Sequence, residues 1–227
     1  MNLSLDFSVV LSRWAMLADG ARLTVELAVL STVFGFIIGT FCAIGRRSDV
    51  AAISRICGFY VEAIRNTPFL VQIFLVYFGL SSIGLSFSAF TVAVISLTIN
   101  VGAYTAEIMR AGFGSIHKGQ WEASECLGLS SVQTYWHVAL RPAMERVYPS
   151  LTSQFILLML ASSVTSQISA EELTAAANFI QSETYRPFET YIVIAVIYLF
   201  LSLLMRVSFW GLGQIIFPRR RRLGTNL

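Results

Sequence analysis

Glu122-Ala123-Ser124 stands ahead of Gly128 with three residues between, inside a polar stretch that runs from 113 to 146. A carboxylate and two small residues before a glycine suit a short helix whose end the glycine caps. Ser130 or Ser131 then caps a second short helix. Two short helices joined at a glycine make a compact knob. Its apolar side chains, Trp121, Leu127, Leu129 and Trp136, need a partner surface or the rest of the chain to pack on. That is the chemistry of docking rather than of bond breaking.

Three further groups carry polar atoms within apolar surroundings. Arg65-Asn66-Thr67-Pro68 interrupts a hydrophobic run. Pro68 has no N–H to return to Ile64, and Asn66 lies just upstream of the proline, so a kink or break is expected. Such a break either lines a cavity that takes a ligand or only shapes a gate. Glu107 and Arg110 are three apart on one helix side, either as a structural ion pair at a membrane boundary or as part of a pathway. Ser162, Ser163, Thr165 and Ser166 form a hydroxyl-rich stripe. Their hydroxyls either bond back to their own helix and to neighbouring helices or line a substrate path.

Catalytic signatures are missing. His117 and His137 are too far apart for a metal-binding pair one helical turn long, and both are read as surface or interface of the 113–146 stretch. The sequence has no GxxxxGK[ST] loop, nucleophile elbow or paired-carboxylate site. The three cysteines are an odd number and widely spaced, so they are read as small packing residues. Asp6 and Asp19 break the pattern of a cleavable leader.

The elements that must position these groups follow from composition. Of 227 residues, 56% are hydrophobic and 13% charged, half the charge of a soluble domain. The apolar residues come in long blocks, which excludes a disordered chain or a nucleic-acid-binding domain and points to a polytopic membrane protein. Spans are expected at about 22–45, 57–80, 89–112, 147–168 and 188–213. The 1–20 segment reads as a short interfacial helix ended by Asp19-Gly20. Gly35 and Gly39 form a GxxxG that lets a neighbouring helix approach closely. Residues 81–88 read as a turn, and 169–187 as a polar connection.

Charge sets the direction of the five spans. Arg46, Arg47, Arg55, Arg110, Lys118, Arg141, Arg146, Arg206 and Arg219–Arg222 fall on one side. Arg13, Arg22 and Arg186 fall on the other. The positive-inside rule then puts the N-terminus outside and the C-terminus in the cytoplasm, with the tail arginines as a stop-transfer anchor. An odd number of spans does not divide into paired repeats, which argues against a secondary transporter built from one chain.

At this point the chain resembles the permease subunits of ATP-binding-cassette importers. Their coupling loop has the form EAA, three residues, G, nine residues, I-x-L-P. Glu122-Ala123-Ser124, Gly128, Val138 and Leu140 fall in register, with Ser124 for the second alanine. Arg141 takes the proline position and Pro142 follows, so the helix exit should shift slightly. Ala63-Ile64-Arg65-Asn66-Thr67-Pro68-Phe69-Leu70-Val71-Gln72 resembles the family's F-R-G-T-P-L-L-x-Q block. Gly102-Ala103-Tyr104-Thr105-Ala106-Glu107-Ile108-Met109-Arg110 resembles G-A-Y-x-A-E-I-x-R-G, and Gly119-Gln120 also fits. In this order and spacing the blocks mark the polar-amino-acid branch. The branch's K-D-T-S-L-x-S block is replaced by Leu160-Ala161-Ser162-Ser163-Val164-Thr165-Ser166, without the Lys-Asp pair.

The resemblance implies an all-α integral membrane chain with the five-span type I importer permease fold and cytoplasmic coupling helices, as one permease domain over 1–227. It implies coupling through Gly119, Glu122, Ala123, Ser124 and Gly128. Candidate pathway residues are Arg65, Asn66, Thr67, Gln72, Tyr104, Glu107, Ser162, Ser163 and Ser166. Implied partners are cytoplasmic ATPase subunits, a second permease, an extracytoplasmic amino-acid-binding protein and the lipid bilayer of a bacterial inner membrane. The missing Lys-Asp pair suggests that the second permease is a different chain. No cofactor is expected on this chain, ATP and Mg belonging to the partner ATPase. The alternative is a passive channel or membrane scaffold subunit without ATP coupling. A membrane enzyme lacks the convergent catalytic groups it would need.

Overall fold

The computed structural model describes residues 5–217. They form helices and connections, with no strand among the described residues. In chain order these are α1 (Ser8–Leu11), α2 (Trp14–Gly45), α3 (Ala51–Arg65), α4 (Phe69–Ser82), α5 (Ala89–Gly114), α6 (Lys118–Cys126) and α7 (Ser131–Gln133). A π-helical turn (Thr134–Ala139) leads into α8 (Leu140–Ala161), which tightens into a 3-10 stretch (Ser162–Ile168). α9 (Leu173–Thr184) and α10 (Pro187–Ile216) follow. The basic tail from 218 onward lies outside the described residues.

Among the described residues four helical segments are long and apolar enough to cross a membrane: Trp14–Gly45, Ala89–Gly114, Ser131–Ile168 and Pro187–Ile216. α3 and α4 make a fifth span only as a pair, bent by 113°. The break expected at Pro68 is there, and α3 begins at Ala51 rather than near 57. Gln72 repairs the break. Its side-chain N–H donates to the Ile64 carbonyl, the acceptor that Pro68 cannot serve, at 2.7 Å, and to the Thr67 carbonyl at 3.0 Å. A backbone opened at membrane depth must find such replacements.

Two expectations about boundaries are corrected. Asp19-Gly20 does not end a helix, and α2 runs unbroken from Trp14 to Gly45. Gly20 is buried where α2 crosses α9, and a Cβ there would lie 3.0 Å from the Leu173 Cα. The glycine serves a close crossing, not a stop. The polar connection at 169–187 holds a helix, α9, with Leu173, Ala176, Ala177 and Ile180 buried between α2 and α10. Its spacing of 3 and 4 is that of one helical face, hidden in the sequence by Glu171, Glu172 and Glu183.

α2 packs most extensively on α5. Gly39 brings the two backbones together, since a Cβ at that position would sit 2.6 Å from the Gly102 carbonyl oxygen and 2.6 Å from Thr105 Cβ. This is the close approach that small residues allow in membrane helices. Tyr60 of α3 adds a hydrogen bond from its hydroxyl to the Ile99 carbonyl at 2.7 Å. Leu97, Val101, Met109, Phe113 and Leu158 form the buried centre of the bundle. α10 is the opposite case, with most of its apolar surface left exposed by the rest of the chain.

Candidate functional site

The knob forms as the residue pattern requires. His117 caps α6, its Nδ1 accepting from the Gly119 N–H at 3.1 Å. Gly128 ends the helix at φ +71°, a left-handed conformation that favours glycine. Ser130 opens the second arm with a capping box, accepting from the Gln133 N–H while the Gln133 side chain accepts from the Ser130 N–H at 2.9 Å.

The knob has an inner and an outer face. On the inner face Trp121 stacks edge-on against Tyr135, and Tyr135 against Phe113 of α5, each pair 5.3 Å apart. Arg47, just past α2, lies 5.1 Å over the Trp121 ring. Arg146 of α8 donates to the Ser115 carbonyl at 2.6 Å. Ser124 is buried, and its hydroxyl accepts from Thr134 at 3.2 Å while donating to the Trp121 carbonyl. Both arms are thus joined to each other and to α5. On the outer face Glu122, Ala123 and Glu125 are exposed beside Leu127, Val132 and Trp136. These three apolar side chains are 77%, 79% and 67% exposed. Of the apolar residues expected to need a packing surface, Trp121 finds it in the bundle, whereas Leu127 and Trp136 do not.

The π-helical turn lies just ahead of Pro142, which has no N–H for a regular turn. The chain stays helical through Arg141-Pro142.

The second site surrounds the α3–α4 break. Arg65, Thr67, Gln72, Tyr104 and Glu107 come together here. The Arg65 guanidinium lies 5.6 Å from the Tyr104 ring and 3.8 Å from a Glu107 oxygen. Glu107 also accepts from Arg46 at 2.6 Å and from the Arg110 guanidinium. One carboxylate thereby gathers three arginines from α3, α5 and the end of α2. Gln72 adds a partner that sequence reasoning missed, since its Oε1 accepts from the Asn100 side chain at 2.9 Å. Asn100 sits mid-way along an apolar run in α5, and a lone amide at that depth was the available signal.

The remaining candidates are placed otherwise. Asn66 caps α3 by donating to the Glu62 carbonyl at 2.8 Å. Ser162, Ser163 and Ser166 donate to the carbonyls of Met159, Leu160 and Ser163 at 2.6–2.8 Å. Their hydrogen bonds stay within their own helix and do not join the Gln72–Asn100 network. No group of three or more metal-ligating side chains occurs among the described residues.

An all-helical, multi-span bundle with a two-armed knob at one end is the architecture of a membrane transport subunit. The chain belongs to the family of binding-protein-dependent transport system inner membrane components, whose pattern matches residues 35–222. It is 38% identical over 162 residues to an L-cystine transport system permease protein of Bacillus subtilis, covering 71% of this chain and 69% of that one. It is 34% identical over 221 residues to an octopine transport system permease protein of Rhizobium radiobacter, covering 92% and 90%. The fold superimposes on the crystal structure of an amino acid ABC transporter with histidines at TM-score 0.83 and 35% identity, covering 93% of this chain and 99% of that one. An inward-facing methionine ABC transporter shares the fold at TM-score 0.74 and 20% identity, covering 90% of this chain and 98% of that one.

Proposed function

We propose that this chain is the membrane-spanning subunit of an ATP-driven importer of amino acids, coupled through Glu122–Gly128 to a separate cytoplasmic ATPase. The observation that carries the reading is the outer face of the knob. Leu127, Val132 and Trp136 are exposed beside Glu122 and Glu125, on a body anchored to α5 through Trp121 and Tyr135. An apolar centre with a polar rim is the composition of a protein-docking patch. Movement of a docked ATPase would reach α5 through those rings and change the setting of the α3–α4 break.

In this reading the knob and C-terminus face the cytoplasm and the N-terminus faces outward, following the distribution of Lys and Arg. ATP and Mg are held by the partner, and an extracytoplasmic binding protein delivers the amino acid. Arg65, Tyr104 and Asn100 offer a cation, an aromatic ring and an amide at the break, with Gln72 holding Asn100 in place, groups suited to a zwitterion. The second permease is a different chain that supplies the charged residues absent before Ser162.

The test is a mild-detergent pull-down of tagged chain from native membranes, with the co-purifying proteins identified. An ATPase and a second permease are the expected result. An ATPase without another permease would replace the heterodimer by a homodimer. No ATPase, from membranes that express one, would overturn the importer reading in favour of an uncoupled channel or scaffold.

A further inference from the structure

α8 and α10 diverge to leave a groove of about 920 Å³ on the outside of the bundle. Leu157 and Leu160 of α8 and Leu199 of α10 make its walls apolar. Tyr148 closes one end, its hydroxyl donating to the Phe209 carbonyl at 2.5 Å and its ring meeting Phe217 at 5.3 Å. Arg206 and Trp210 stand at that same end, one helical turn apart and both exposed. Among the described residues Arg206 has no ion-pair or hydrogen-bond partner.

A guanidinium in an apolar span is costly to leave alone. Its long stem lets it reach toward the headgroup region, where tryptophan also collects. The groove leads away from that cation into apolar depth. From Tyr148 to Leu160 it runs roughly 18 Å along α8 at about 1.5 Å per residue. That is slightly more than one leaflet of a hydrocarbon core about 30 Å thick. We propose that the α8–α10 groove binds an anionic phospholipid, its phosphate paired with Arg206 and one acyl chain lying along Leu157, Leu160 and Leu199. Charge complementarity selects this occupant. The apolar face of a helix from a second chain would bury the guanidinium with no anion to meet it, whereas a phosphate neutralises it. Basic pockets between membrane helices take lipid headgroups for the same reason.

The assembled transporter, reconstituted in nanodiscs of mixed phosphatidylglycerol and phosphatidylcholine and repurified in mild detergent, is assayed for retained lipid by mass spectrometry. The wild-type complex should retain phosphatidylglycerol over phosphatidylcholine. Arg206→Gln should lower the retained phosphatidylglycerol about fivefold, the worth of one basic residue at an anionic surface. Leu203→Trp, which fills the groove from α10, should lower retention of both lipids while the complex elutes unchanged on gel filtration. Equal retention of the two lipids by the wild type, or undiminished phosphatidylglycerol in both variants, overturns the proposal. So does a benzophenone amino acid at Leu203 that cross-links to a second polypeptide in place of lipid.

Discussion

The hydroxyl of Thr134 donates to the hydroxyl of Ser124 at 3.2 Å, joining the two arms of the knob at a buried point. Ser124 holds a position where the family pattern has alanine, and Thr134 opens the π-helical turn. The pair acts as a polar clasp between α6 and the second arm. Ser124→Ala leaves the Thr134 hydroxyl buried without that acceptor and should cost about 1 kcal/mol. Thr134→Val should cost less, because the Ser124 hydroxyl still donates to the Trp121 carbonyl. The double substitution should be less damaging than the sum of the two, because the Thr134 hydroxyl that Ser124→Ala strands is then absent. Thermal unfolding of the three variants in detergent measures this. Strict additivity would show that the clasp carries no interaction energy.

Gly39 should be far less tolerant than Gly58. A Cβ at Gly39 meets the Gly102 carbonyl oxygen at 2.6 Å, and backbone cannot move aside as a flexible side chain does. Gly39→Ala should destabilise by about 1–3 kcal/mol, as overpacking does. At Gly58, in α3, a Cβ meets nothing within 4 Å, so Gly58→Ala should stabilise the helix by about 0.5–1 kcal/mol. Fluorescence-detected gel filtration after heating distinguishes them. Equal tolerance at the two glycines would remove close α2–α5 packing from the account.

What could be read in advance was whatever local chemistry dictates. Pro68 breaks the helix because it lacks an N–H, and Gly128 and Ser130 cap because of their own backbone and side-chain groups. The GxxxG of Gly35 and Gly39 announced a close neighbour without saying which. The misreadings came where a distant element decides. Asp19-Gly20 resembles a helix end until Leu173 is placed beside Gly20. α9 resembles a loop until α2 and α10 cover its apolar side. The link from Gln72 to Asn100 spans 28 positions, and neither residue alone indicates the other.

Glu107 should matter more as a charge than as a shape. Arg46 lies at 2.6 Å, Arg110 is bonded to the same carboxylate and Arg65 lies 3.8 Å away. Glu107→Gln leaves three guanidiniums crowded about a neutral amide. With the carboxylate only 24% exposed the loss should be about 1–2 kcal/mol, below that of a fully buried pair. Removing one cation as well, with Arg46→Gln in the Glu107→Gln background, should recover part of it. Melting temperatures of the single and double variants decide, and a double variant weaker than Glu107→Gln would mean that repulsion among the arginines is not what the carboxylate relieves.

Glu172 should make stability depend on pH. It lies between the 3-10 stretch and α9, fully buried, and accepts from the Ala175 N–H at 3.0 Å, the Tyr198 hydroxyl at 2.7 Å and the Thr24 hydroxyl at 3.5 Å. Burial pushes its carboxyl above the ordinary value of 4.5, and these hydrogen bonds only partly oppose the rise. Among the described residues it has no ion-pair partner. A carboxyl raised on folding binds its proton more tightly in the native state. Its contribution is therefore fully present below 4.5 and is lost as pH climbs through the raised folded value. Glu172→Gln mimics the neutral acid and cannot ionise. The melting temperature of the wild type should fall relative to that of Glu172→Gln as pH rises from the acid side, and the two should converge in acid. A wild type that gains on the variant as pH rises would mean that the carboxylate, not the acid, is the form the fold prefers.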